Sequence, residues 1–187
     1  MDEANISHYK ALLCAIKYKI DTKDYFPQMK PEGNINGPWE LCVCSDAYYA
    51  VGNDTCKSVT GYIFWINRVV IAWHFQSHKT VTLSVTESEY SAIMEVCCEI
   101  LFFRAIILFM GVAVKYPITV HVNNVGAIFL SENILVSQRM KHIDLRHHII
   151  WDYAEDGTMK IKFFRSEKNL SDPFTKNLGN RPFHSLT

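Results

Sequence analysis

No run of apolar residues in this 187-residue chain approaches the roughly 18 to 20 needed to cross a bilayer, so a membrane-spanning helix is not expected. An excess of one charge is missing too, because 19 Lys and Arg balance 19 Asp and Glu. Composition therefore offers no general electrostatic case for nucleic acid, and any such binding needs a local basic face. The six cysteines supply no paired Cys-x-x-Cys knuckles, which argues against structural zinc. Cys97 and Cys98 fall inside a helical pattern and read as reduced thiols. The first residues, Met1-Asp2-Glu3-Ala4-Asn5, lack the charged-then-apolar plan of a secretory signal, so an intracellular setting is expected, cytoplasmic or nuclear. Internal repeats and low-complexity tracts are also absent.

What is present is 49% hydrophobic and 20% charged residues, enough for one domain with a real core and an appendage. Residues 6 to 24 hold an apolar rhythm (Ala11, Leu12, Ala15, Ile16, Ile20) that predicts an amphipathic helix. Pro27, Pro31 and two glycines then mark residues 25 to 37 as a linker. Strand character follows over residues 39 to 46, 60 to 66 and 69 to 75. Only Asn67-Arg68 separates the last two, a hairpin whose second residue is a poor choice for a tight primed turn.

Ser84 with Glu87, and Thr86 with Glu89, both match a capping box, and Gly111 stands where a long helix would stop. Along that helix Ile93, Val96, Cys97, Ile100, Arg104 and Ile107 form a mostly buried stripe. A strand at 118 to 122, a helix at 125 to 132, a helix around 143 to 154, a strand at 158 to 164 and a short helix at 169 to 178 complete the order. That succession predicts an α/β fold, a mixed sheet with helices on its faces. Tyr62, Phe64, Trp65, Trp73 and Phe75 are expected to pack in the core or the hairpin.

Asp46, Glu89 and Asp172 come from distant parts of the chain and sit at strand ends or helix starts. Each alone could be a turn residue, a cap partner or a helix N-terminal charge. Together they suggest oxygen ligands for magnesium at a phosphodiester-cutting site, where two ions about 4 Å apart activate water and stabilise the leaving oxygen.

Longer segments carry a resemblance. They are Ser45-Asp46-Ala47, Lys57-Ser58-Val59-Thr60-Gly61-Tyr62, Ser84-Val85-Thr86-Glu87-Ser88-Glu89-Tyr90 and Val122-Asn123-Asn124-Val125-Gly126-Ala127-Ile128. Two more follow, Lys141-His142-Ile143-Asp144-Leu145-Arg146-His147-His148 and Asn169-Leu170-Ser171-Asp172-Pro173-Phe174-Thr175-Lys176. In this order, from about His8 through Leu178, the chain resembles the RNase H domain at the C-terminal end of the Pol polyprotein of copia-type LTR retrotransposons. The resemblance implies an RNase H-like mixed five-stranded sheet flanked by helices, and hydrolysis of the RNA strand of an RNA–DNA hybrid. It implies two Mg2+ ions held by an Asp-Glu-Asp-Asp set, and a reverse-transcriptase domain of the same polyprotein as a partner. It also divides the chain into a connecting helix and linker at 1–37, an RNase H-like domain at 38–178 and a tail at 179–187.

Carried over by position, the set becomes Asp46, Glu89, Asn123 and Asp172. Glu87 competes with Glu89, but residues two apart lie about 200° around a helix and only one can face the metals. Glu89-Tyr90-Ser91-Ala92 suits the family pattern better, which leaves Glu87 to the cap. Asn123 stands where the family has an acid. It keeps an oxygen and loses a charge, so an inactive or weak enzyme is expected, or a remnant that only binds hybrid. Cys56, Met140 and Trp151 also depart from the family, and with Asn123 each is one transition away from the family residue, the pattern of a decaying copy. Lys57, Ser58, Arg139 and Lys141 are candidate contacts to the hybrid backbone. His142, His147 and His148 lack a matching acid or Cys partner for a metal site.

Overall fold

The computed structural model describes residues 5–24, 30, 32, 36–51, 55–133 and 148–176. The described elements run α1 (Ile6–Asp21), β1 (Trp39–Tyr48), β2 (Val59–Ile66), β3 (Val69–Ser77), α2 (Val85–Phe109), β4 (Val114–Val122), α3 (Val125–Glu132), α4 (His148–Glu155), β5 (Met159–Phe163) and α5 (Asp172–Thr175). The strands form one five-stranded sheet in the order β3-β2-β1-β4-β5, antiparallel on the β3-β2-β1 side and parallel across β1-β4-β5. The mixed sheet expected from the element order is present.

Period-two alternation puts Leu41 and Val43 of β1, Tyr62 and Phe64 of β2, and Ile118, Val120 and Val122 of β4 into the core. There they meet Ile93, Val96, Cys97 and Ile100 of α2. Arg104 departs from the buried stripe. It is half-buried and donates to the Tyr116 hydroxyl at 2.6 Å. The start of α2 is set locally, with Ser84 accepting the Glu87 N–H at 3.1 Å and Glu87 accepting the Leu83 N–H at 2.8 Å. The second capping match, Thr86 with Glu89, falls inside the helix and caps nothing. Its other end is a Schellman turn: Gly111 has φ +76, its N–H donates to Leu108, and the Val112 N–H donates to Ile107.

Several expectations change. The amphipathic helix forms as α1, with Asn5 capping the Ser7 and His8 N–H groups, but it ends at Asp21 and none of its residues is buried. β1 continues past Asp46 to Tyr48, and β4 begins before Pro117. Trp73 and Phe75 are 61% and 62% exposed rather than packed, because they lie on the sheet face opposite α2. The last helix is four residues long, preceded by a 3₁₀ turn at Ser166–Lys168. The helix expected around 143 to 154 lies outside the described residues in its first part, and α4 supplies the rest.

The β2–β3 turn has both central residues left-handed, Asn67 at φ 48 and Arg68 at φ 66. Asn67 suits this, and its Oδ1 also accepts the Glu40 N–H at 2.9 Å. Arg68 carries a Cβ where glycine is preferred, at a cost of about 1–2 kcal/mol. Arg68→Gly is expected to raise stability by about 0.5 kcal/mol, since loss of the exposed pair with Glu32 offsets part of the relief. A higher urea midpoint at unchanged slope would verify it.

Candidate active site

The parallel β1 and β4 end side by side at the centre of the sheet, and their ends carry Asp46 and Asn123. Asn124 caps α3, accepting the Ala127 N–H at 3.0 Å, so the chain turns at once and Asn123 stays beside β1. From one sheet face the first turns of α2 bring Glu89. From the other, α5 brings Asp172 and Lys176. Asp46, Glu89 and Asp172 are 0%, 3% and 5% exposed, so these acids are buried rather than set out on the rim. Glu87 points away to its cap, which separates the two glutamates as the helix geometry requires.

α5 lies close against β2 because Gly61, directly opposite Asp46, has no side chain. Asn169 fastens the approach, donating to the Ser45 carbonyl at 3.0 Å while its Oδ1 accepts the Ser171 N–H at 3.1 Å. The Thr175 hydroxyl donates to Asp46 Oδ2. Lys176 Nζ lies 3.0 Å from Asp46 Oδ1 and 3.0 Å from Asp172 Oδ1, bridging the two acids. Ser166 donates to Asp172 Oδ2 at 2.9 Å. Asn123 turns its amide nitrogen to Asp46, donating to Oδ1 at 2.8 Å. It therefore offers the acid a proton donor rather than another oxygen. Glu89 Oε2 is buried with no hydrogen-bond partner.

Sequence reasoning missed Lys176 as a participant. Its signal was the i,i+4 spacing from Asp172 at a helix start, which brings an ammonium back over the carboxylate.

Burial, and then the nearby Asp46, push the Glu89 carboxyl up to about 8, although the Ala47 N–H and Lys176 act against them. Asp172 is raised by burial and by Asp46, against the opposing Lys176 and Ser166. Burial disfavours the Lys176 charge, yet the two aspartates outweigh it and its pKa is raised. Glu89 holds its proton in the folded chain up to about 8 and loses it near 4.5 when unfolded. Between those values the folded state binds more protons, so this group makes stability fall as pH rises, with little further change above 8. In chelator, Glu89→Gln is expected to flatten that fall and to be the more stable chain at pH 8, as paired urea titrations at pH 5 and 8 would record.

Carboxylate oxygens and an unpartnered buried Oε2 are the donor chemistry a hard cation takes. Among the described residues, however, no three His, Cys, Asp or Glu side chains are arranged to hold a metal ion as they stand. The acids fit such an ion in kind, while Asp46 and Asp172 are closed on a lysine.

The nucleic-acid contacts fare unequally. Lys57 is half-buried, but Ser58 is fully buried. Its hydroxyl accepts the Ala50 N–H at 3.1 Å and pairs with Thr82 at 2.8 Å, so it braces a loop instead of facing a phosphate. Arg139, Lys141, His142 and His147 lie outside the described residues. None of the six cysteines is in a disulfide, and Cys97 is buried while Cys98 is exposed. Among the described residues no helix is long and apolar enough to cross a membrane.

No family model matches the chain. It is 28% identical over 180 residues to the retrovirus-related Pol polyprotein from transposon RE2 of Arabidopsis thaliana, which covers 96% of this chain and 12% of the polyprotein. To the Pol polyprotein from transposon TNT 1-94 of Nicotiana tabacum it is 34% identical over 132 residues, covering 71% of this chain and 10% of the polyprotein. Among solved structures, the fold matches LC11-RNase H1 from a compost metagenome with TM-score 0.51 at 12% identity, over 72% of this chain and 91% of that one. The chain is thus a homologue of the retrovirus-related Pol polyproteins of copia-type transposons, corresponding to a short stretch of their length and having the RNase H fold.

Proposed function

We propose that Asp46, Glu89 and Asp172 are the remains of a two-metal site that cut the RNA strand of RNA–DNA hybrids, and that Asn123 leaves it inactive or nearly so. The observation that carries this reading is that three buried acids come from β1, α2 and α5, two of them, Asp46 and Asp172, bridged by one ammonium and the third, Glu89, raised in pKa by burial and by both of them and left with an unpartnered oxygen. When bound, Mg2+ would be held by Asp46, Glu89 and Asp172 and would supply an activated water and charge neutralisation at the leaving oxygen. Asp46 would be the shared central ligand, because it faces the other two acids and Asn123. Glu89 would have to give up its proton, which makes loading easier as pH rises toward 8. Asn123 weakens the set twice, removing a negative charge and directing N–H at Asp46.

The hybrid is the proposed ligand, with Lys57, Arg139 and Lys141 the proposed contacts to its backbone. A reverse-transcriptase domain of the same polyprotein is the proposed partner. The alternative, a remnant that binds hybrid without cutting, is favoured by the same Asn123. Cleavage of a labelled hybrid in magnesium and manganese by the full chain, Asn123→Asp and Asp46→Asn tests the reading. Cutting by the unmodified chain that Asp46→Asn leaves intact would sink it.

A further inference from the structure

We infer that Lys176 is a built-in counter-ion that holds the acid cluster closed and that a divalent cation must displace; this rests on the metal-site reading above. Its ammonium meets Asp46 Oδ1 and Asp172 Oδ1 at 3.0 Å each, so one side chain neutralises acids brought from β1 and α5. The two aspartate side chains are 0% and 7% exposed, whereas that of Lys176 is 30% exposed. The acids are fixed and the cation is the movable member, a compact charge on a flexible four-carbon stem.

The lysine satisfies the cluster incompletely. Glu89 Oε2 remains buried and unpartnered, although its carboxyl lies within reach of the Lys176 charge. A divalent ion reaching Glu89 as well as the aspartates would satisfy an oxygen that the ammonium leaves alone. In the closed state Asn123 and Lys176 both donate to Asp46 Oδ1, so that oxygen is already shared by two N–H donors that an incoming cation must replace. Cation affinity is then reduced by the fraction of molecules in which Lys176 has left. A tenfold preference for the closed state weakens apparent binding about tenfold.

The test is Mn2+ binding by the full chain, followed by electron paramagnetic resonance of the free ion and by thermal unfolding in EDTA and in MnCl2. Lys176→Gln is expected to unfold at a lower temperature than the unmodified chain in EDTA, to bind Mn2+ at least about tenfold more tightly, and to regain stability with it. Lys176→Arg, which keeps the charge, should behave as the unmodified chain, and adding Asp46→Asn to Lys176→Gln should abolish binding. Equal, Asp46-dependent Mn2+ affinity in the unmodified chain and Lys176→Gln would overturn the counter-ion role while leaving the metal site standing. No binding by any variant, Asn123→Asp with Lys176→Gln included, would remove the metal site and the counter-ion role together. A Lys176→Gln chain unfolded in EDTA but folded in MnCl2 supports the proposal. One unfolded in both overturns it, since the ion then fails to replace the ammonium.

Discussion

Asn123→Asp is expected to turn a chain that leaves RNA–DNA hybrid uncut into one that cuts it, most readily in manganese. Loss of groups that merely support a metal site costs 10–100-fold, so restoring a direct ligand should raise cutting by at least about 100-fold. The same change has an opposite effect without metal. Asn123 now donates to Asp46 at 2.8 Å, and an aspartate there would set one carboxylate against another. The variant should therefore be less stable than the unmodified chain in EDTA, by about 1–3 kcal/mol, and recover when magnesium is added. Cleavage of an end-labelled hybrid and unfolding with and without chelator check the two halves separately. A stable, folded Asn123→Asp chain that stays silent would mean that the site is broken elsewhere.

Gly61→Ala is expected to disable the site without altering any residue in it. A Cβ on Gly61 would stand 2.6 Å from Thr175 Cγ2 and 3.0 Å from Phe174 Cβ, closer than side chains pack. Because α5 is only four residues long, the clash is relieved by lifting it from β2, against the hold of Asn169 on the Ser45 carbonyl. Overpacking of this kind costs about 1–3 kcal/mol. Here it also withdraws the Thr175 hydroxyl from Asp46 and moves Asp172 and Lys176. The measurable results are a lower urea midpoint and, in the Asn123→Asp background, loss of the restored cutting. Unchanged stability would show that α5 does not depend on a bare glycine beneath it.

The sequence by itself determined the elements whose causes are local. Ser84 and Gly111 delimit α2 because a cap and a left-handed turn satisfy backbone groups a few residues away. Alternation in β1 and β2 chose which residues face α2, and the two-residue gap at Asn67-Arg68 set the hairpin. Helix geometry separated Glu87 from Glu89, and the order of acid-bearing segments singled out three acids that are buried in the fold. The same local signals misjudged Trp73 and Phe75, since alternation says that a face differs from its opposite, not whether anything covers it. They likewise read Ser58 as a surface contact, although Thr82 and Ala50 close over its hydroxyl.

Only the tertiary structure decided what the acids touch. Asn123 lies 77 positions from Asp46 in the chain, and Lys176 lies 130 positions from it. Which atom of Asn123 meets Asp46, and whether an ammonium bridges Asp46 to Asp172, depends on how β1, β4 and α5 dock. That docking is fixed by a missing side chain at Gly61 and a clamp at Asn169, each of which acts through space on a distant segment. Periodicity and capping report the backbone's own hydrogen bonds over a few residues, whereas charge pairing in a buried cluster is set by contacts between segments far apart in the chain.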